Sequence, residues 1–156
     1  MIKITSFSVK DTLAIGMALA RQVNKGDIIC LVGELGSGKT VLTKGIAIGL
    51  GAKKEEVISP TFVLIREYEA KFPIYHFDLY RLNEVDDIIR LGYEEYFYDQ
   101  GVSIVEWADK LKQLMPLEYL KVDIQIRKDG ARVFKFKPVG RHYKEILEKI
   151  DENIRH

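Results

Sequence analysis

Gly33-Glu34-Leu35-Gly36-Ser37-Gly38-Lys39-Thr40 decides how this chain is read. The octapeptide satisfies G-x-x-x-x-G-K-[ST]. It follows the apolar run Ile28-Ile29-Cys30-Leu31-Val32 and precedes a helix-compatible segment, Val41 to Leu50. Strand, glycine loop and helix, in that order, are the context a phosphate-binding loop needs. Gly33, Gly36 and Gly38 let the backbone curl so that successive N–H groups, those of Glu34, Leu35, Ser37 and Val41 among them, point inward at phosphate oxygens. The helix start adds its own free N–H groups and its positive dipole end. Lys39 is then placed to reach the β- and γ-phosphates, and the Thr40 hydroxyl to hold magnesium. The expected ligand is a nucleoside triphosphate with Mg2+.

Outward from that loop, bulk properties narrow the class. A chain of 156 residues is long enough for one domain with a real core and too short for two comfortable ones, so residues 1–156 read as a single P-loop domain. The hydrophobic fraction of 47% and charged fraction of 30% are ordinary for a globular protein. A formal net charge of +1 lacks the basic footprint of a protein that grips nucleic acid alone. If RNA is involved, a partner carries most of the contact. The single cysteine, Cys30, excludes an internal disulfide and reads as a small core residue. No signal-peptide layout or membrane-length apolar run is present, and a cytoplasmic location is the default expectation.

Ile2 to Phe7 alternates as a short strand, and Ser8-Val9-Lys10-Asp11 has the form of a capping box opening a helix to about Val23. Asn24-Lys25-Gly26-Asp27 matches a guanine-reading pattern, N-K-x-D, but it directly begins the P-loop strand, so turn chemistry explains it better. Gly49-Leu50-Gly51 stops the P-loop helix. A loop, Ser59 to Phe62, leads to a strand from Val63 to Tyr68, which is able to pair with Ile74 to Phe77. Asp86 to Leu91 and Tyr93 to Tyr98 suggest short helices, and Val102 to Val105 a buried strand. Leu120 to Arg127 and Arg132 to Val139 flank Lys128-Asp129-Gly130 as an antiparallel hairpin. Tyr143, Ile146, Leu147 and Ile150 recur at helical spacing in the tail. The sum is a three-layer α/β P-loop NTPase fold with a mixed parallel/antiparallel sheet.

A P-loop needs acidic partners for magnesium and for the attacking water. Asp78 and Glu106 each end an apolar strand, where ligands of such folds gather. Thr61, in a loop after the P-loop helix, is placed to sense a γ-phosphate, with a capping or turn hydroxyl as the plain alternative. Arg66 and Arg81 are candidates for stabilising transition-state charge, although surface arginines are common. His76 shares the face of Asp78 by period two and reads as a satisfied core or edge histidine rather than a catalytic one. Trp107 suits either a stacking role near the nucleotide or the core. Tyr93, Tyr96, Phe97 and Tyr98 read mainly as core, with a partner face as the alternative.

The ordered set Gly33–Thr40, Ser59-Pro60-Thr61-Phe62, His76-Phe77-Asp78-Leu79-Tyr80-Arg81-Leu82 and Val105-Glu106-Trp107 resembles the TsaE (YjeE) family, bacterial P-loop ATPases of tRNA threonylcarbamoyladenosine modification. The similarity runs roughly from Ser8 to Gly140. The resemblance implies that Lys39 and its loop bind ATP phosphates, that Thr40 and Glu106 hold magnesium, and that Asp78 and Trp107 are needed for hydrolysis. It implies that the Thr61 loop is a nucleotide-sensitive switch, and that Val9, Lys10 and the Asp129–Arg132 turn lie near the adenine. It further implies partners, TsaB and the transferase TsaD, with tRNA reached only through their complex and ATP turnover resetting it. Many members follow the Glu-Trp pair with proline, whereas this chain continues Ala108-Asp109-Lys110.

Two other classes fit a P-loop. A small P-loop kinase would carry an arginine-bearing lid, and no insertion with clustered arginines is present. A nucleotide-dependent binding module with incidental hydrolysis would need the same loop and acids.

Overall fold

The computed structural model describes residues 1–58 and 64–155, with side chains as far as Asp151. Thr61, the Ser59–Phe62 loop and the start of the strand expected at Val63 lie outside the described residues. The chain runs β1 (Ile2–Ser6), α1 (Val9–Ala20), β2 (Ile28–Gly33), α2 (Lys39–Gly49), β3 (Ile65–Tyr68), β4 (Ile74–Asp78), α3 (Val85–Arg90), α4 (Tyr93–Phe97), β5 (Val102–Glu106), β6 (Tyr119–Ile126), β7 (Arg132–Val139) and α5 (Arg141–Arg155). All seven strands join one sheet in the order β1-β7-β6-β2-β5-β4-β3. The central β6-β2-β5-β4 pairs are parallel, and the flanking β1-β7, β7-β6 and β4-β3 pairs are antiparallel. The mixed sheet expected from the sequence is thus present.

Strand periodicity divides the core. Ile29 and Leu31 of β2 join a cluster with α1, α2 and α5, while Ile28 and Cys30 face a second cluster with α3, α4 and Leu111. Helices on both faces explain why β2 is a continuous apolar run. Cys30 is fully buried, which pushes its thiol up to about 12 and leaves it a packing residue. In α5, Tyr143, Ile146, Leu147 and Ile150 are all buried, as their spacing predicts.

Local signals set the ends. Ser8 caps α1 by accepting the Asp11 N–H at 3.0 Å, and the Asp11 carboxylate reaches back to the Phe7 N–H at 3.0 Å. The helix stops at Ala20, short of Val23, because Arg21 caps it and Val23 enters the core from the connecting turn. In that turn Asn24 N–H donates to Asp27 Oδ2 at 2.8 Å and Gly26 has a φ of +86°, so the tetrapeptide is structural. A 3-10 segment, Ala108–Leu114, fills the connection after β5, where the sequence carries no helical period to announce it.

α1 and α2 pack nearly backbone to backbone. A methyl added at Gly45 would lie 2.5 Å from the Leu13 carbonyl, and one at Gly16 would lie 2.7 Å from that of Leu42. This contact fixes α2, and with it the loop at its N-terminus, against the first helix.

Candidate functional site

Three adjacent strands end together. Asp78 and Glu106 are register partners at the carboxyl ends of β4 and β5, and Glu106 also stands opposite Leu31 of β2, two residues before the glycine loop. His76 and Asp78 alternate onto one face of β4, the face that Glu106 takes from β5. Both acids therefore turn toward the start of α2. Asp78 and Glu106 are buried, at 7% and 3% exposure.

The loop curls as its glycines predict, with φ of +78° at Gly36 and +112° at Gly38, the residue that starts α2. Its lysine is folded inward. Lys39 Nζ donates to the Gly33 carbonyl at 2.6 Å, the Glu34 carbonyl at 2.8 Å and Ser37 Oγ at 3.3 Å, and lies 4.2 Å from the centre of the Trp107 ring. Burial lowers the Lys39 ammonium below its usual range, an effect opposed by Glu106, Asp78 and Asp109. Trp107 reaches the ammonium from a strained backbone, φ 59° and ψ 40°, in a region that costs an L-residue about 1–2 kcal/mol. Its ring also packs on Tyr80 at 4.9 Å.

Thr40 Oγ1 shares its one hydrogen between the two Glu106 oxygens, at 3.0 and 3.1 Å. The Glu106 carboxylate also meets His76, whose Nε2 lies on Oε2. His76 Nδ1 lies 3.0 Å from the Tyr68 hydroxyl, which donates to the Ile58 carbonyl at 2.9 Å. A hydroxyl has one hydrogen, and a carbonyl can only accept, so with Tyr68 donating to Ile58 one hydrogen lies on Nδ1 toward Tyr68 and a second lies between Nε2 and Glu106 Oε2. Asp78 Oδ1 accepts the Tyr80 N–H at 3.0 Å. Burial raises the Asp78 carboxyl above its usual range, and the Tyr80 bond pulls it back.

These groups border a cavity of about 270 Å3 whose wall includes Leu35, Gly36, Gly38, Lys39, Thr40, Val41, Asp78, Glu106 and Trp107. A second cavity of about 310 Å3 meets it at Gly36, Gly38 and Val41 and extends between Phe7, Val9, Gly130 and Arg132. Arg132 bridges the β6–β7 turn to the loop by donating to the Gly36 carbonyl at 3.2 Å. Val9 and the Asp129–Arg132 turn thus converge beside the loop, while Lys10 and Asp129 do not line that cavity. Arg66 and Arg81 do not line the loop cavity either, and the Nε of Arg66 is buried without a hydrogen-bond partner among the described residues. Sequence reasoning missed Tyr80, which lines the loop cavity, and the Tyr68–His76 connection. The second was legible only as a polar residue repeated on the Asp78 face.

The model of the family described as "Threonylcarbamoyl adenosine biosynthesis protein TsaE" matches residues 6–134. The chain is 39% identical over 153 residues to the tRNA threonylcarbamoyladenosine biosynthesis protein TsaE of Bacillus subtilis, covering 97% of this chain and 95% of the relative. The Treponema pallidum protein of the same name is 34% identical over 131 residues, covering 84% and 96%. A crystal structure of Bacillus subtilis YdiB superposes with a TM-score of 0.82 at 34% identity, covering 98% of this chain and 95% of that one.

Proposed function

The chain belongs to the TsaE family of threonylcarbamoyladenosine biosynthesis, and from that premise we propose that it is a magnesium-dependent ATPase supporting a TsaB–TsaD complex in tRNA modification. One observation carries the proposal: the Thr40 hydroxyl lies on the Glu106 carboxylate at the start of α2, with Asp78 beside it. The donor set fits magnesium, since all three side chains offer hard oxygens. Magnesium usually takes one or two carboxylates and completes its shell with phosphate oxygens and water. Among the described residues no cluster of three or more His, Cys, Asp or Glu side chains forms a cage of its own, so the ion is expected to arrive with the nucleotide.

In this reading Gly33, Glu34, Leu35, Gly36, Ser37, Gly38 and Val41 wrap the phosphates with backbone N–H groups. Lys39, held by the Gly33 and Glu34 carbonyls, would turn to the β- and γ-phosphates. Thr40 and Glu106 hold the metal, which when bound offsets the phosphate charge. Asp78, steadied by the Tyr80 N–H, orients the attacking water. Trp107 covers the lysine and limits entry of bulk water. The cavity between Val9 and the 130–132 turn takes the base. Thr61 remains a proposed γ-phosphate sensor. None of the helices among the described residues is long and apolar enough to cross a membrane, and the work is proposed to be cytoplasmic.

The test is phosphate release from ATP with and without magnesium, repeated with the TsaB and TsaD homologues of the same organism. We expect magnesium-dependent turnover that changes when both partners are present. Lys39→Ala should weaken ATP binding by about tenfold or more, equivalent to roughly 1.4 kcal/mol or above. Unchanged binding in that variant overturns the site. Phosphoryl transfer to a small acceptor would point to a kinase, and turnover deaf to both partners overturns the proposed role in their complex.

A further inference from the structure

His76 is fully buried, lies two residues before Asp78 and borders no part of the loop cavity. Proposed catalysis gives it no task, yet both of its ring nitrogens are engaged. Nε2 meets Glu106 Oε2 on the neighbouring strand, and Nδ1 meets the Tyr68 hydroxyl on the other side. Tyr68, itself 4% exposed, passes its hydrogen to the Ile58 carbonyl. A ring bonded at both nitrogens cannot turn over without breaking both bonds. The line is continuous from the backbone at Ile58, through two buried side chains, to Oε2 of Glu106. Glu106 in turn receives Thr40 on both oxygens.

A glutamate side chain loses much of its rotamer freedom when it is fixed. A carboxylate already anchored at one oxygen has lost part of that freedom before any ligand arrives. Partners behind a ligating carboxylate typically change metal affinity by about 10–100-fold when removed.

We propose that the buried Tyr68–His76 pair is a positioning device for Glu106, holding the carboxylate in the orientation that Thr40 and a magnesium ion require and fastening that orientation to the chain at Ile58. The inference rests on the reading of Glu106 as a magnesium ligand. His76 and Tyr68 touch neither nucleotide nor metal in it; they act through Glu106.

Two replacements of His76 separate this role from plain core filling. The Asn amide nitrogen lies near the place of Nδ1, so His76→Asn keeps a partner for Tyr68 and abandons Glu106. The Gln amide reaches the place of Nε2, so His76→Gln keeps Glu106 and abandons Tyr68. The experiment is isothermal titration of the full chain with a non-hydrolysable ATP analogue across a magnesium series, alongside melting temperatures. We expect His76→Asn to raise the half-saturating magnesium concentration about tenfold or more, with metal-free analogue affinity within about twofold of wild type. His76→Gln should return most of the way, and Tyr68→Phe, which deletes a single oxygen and is the variant most certain to fold, should fall between. Melting temperatures lowered alike in both His76 variants, with the magnesium midpoint unmoved in all three, overturn the positioning role alone. Analogue binding to wild type that ignores magnesium overturns the metal assignment itself, and the inference with it.

Discussion

Burial raises the Asp78 carboxyl above its usual range; the Tyr80 N–H lowers it, Glu106 raises it again, and His76 and Lys39 draw it down. The net upward direction means that the folded protein holds the Asp78 proton more tightly than the unfolded chain does. Ionised Asp78 therefore subtracts from stability above its folded pKa. That loss is relieved as pH falls through the folded value, and is gone below the unfolded value near 3.8. Asp78→Asn removes the charge and preserves an acceptor for the Tyr80 N–H. The nucleotide-free variant should melt higher than wild type at pH 7, and the gain should shrink as pH is lowered through the folded Asp78 pKa. ATP turnover should fall by about 100-fold or more. Calorimetry across pH, read beside phosphate release, checks both halves; a variant that melts lower at neutral pH would contradict the burial argument. Both acids were legible in the sequence, because an acid closing an apolar strand leaves a plain pattern. His76 was legible only as a polar residue on the Asp78 face, since its partners, Tyr68 and Glu106, come from neighbouring strands whose register no local pattern encodes.

Elements with local signatures were read closely. The Ser8 cap, the Gly-stopped α2, the β6–β7 hairpin and the amphipathic α5 all follow from short-range chemistry. Ala108–Leu114 was missed because it is a 3-10 turn, entered through the strained Trp107 and broken again at Lys112, where φ is +50°. The crossing of α1 and α2 was equally hidden. Gly16 and Gly45 look like weak helix residues, a cost of roughly 1 kcal/mol each against alanine, until the other backbone is seen beside them. Gly45→Ala should gain that propensity and lose more to the 2.5 Å clash with the Leu13 carbonyl, for which the neighbouring helix has to shift. Overpacking of this kind costs typically 1–3 kcal/mol. Net destabilisation by denaturant titration, accompanied by weaker nucleotide binding because α2 carries the loop, is the expected result. A stabilised variant with unchanged binding would show that the helices separate freely.

At the scale of the molecule, the sequence reading predicted a mixed α/β sheet but not its order. Placing β5 and β6 on either side of β2 depends on pairings across more than 70 residues, such as Ile28 with Ser103 and Ile29 with Leu120. That order is nevertheless what gathers the site. β2 delivers the loop, β4 and β5 deliver the acids, and the β6–β7 turn and the start of α1 close the adjoining cavity. A ligand that spans both cavities would therefore brace segments from the first helix to the last hairpin, and it would do so only in the folded chain. Binding to the folded state alone stabilises by about 2.7 kcal/mol at a ligand concentration of 100 times Kd. For a chain of this size each kcal/mol moves the melting temperature by about 2–4 °C, so saturating ADP with magnesium should raise it by about 5–11 °C. Chelating the metal should remove much of that shift. Lys39→Ala should remove nearly all of it while leaving the unliganded melting temperature close to wild type or lower, because the mutation also takes away three hydrogen bonds inside the loop. A shift of equal size with magnesium, with chelator and in Lys39→Ala would mean that the stabilising ligand sits elsewhere than at Gly33–Thr40.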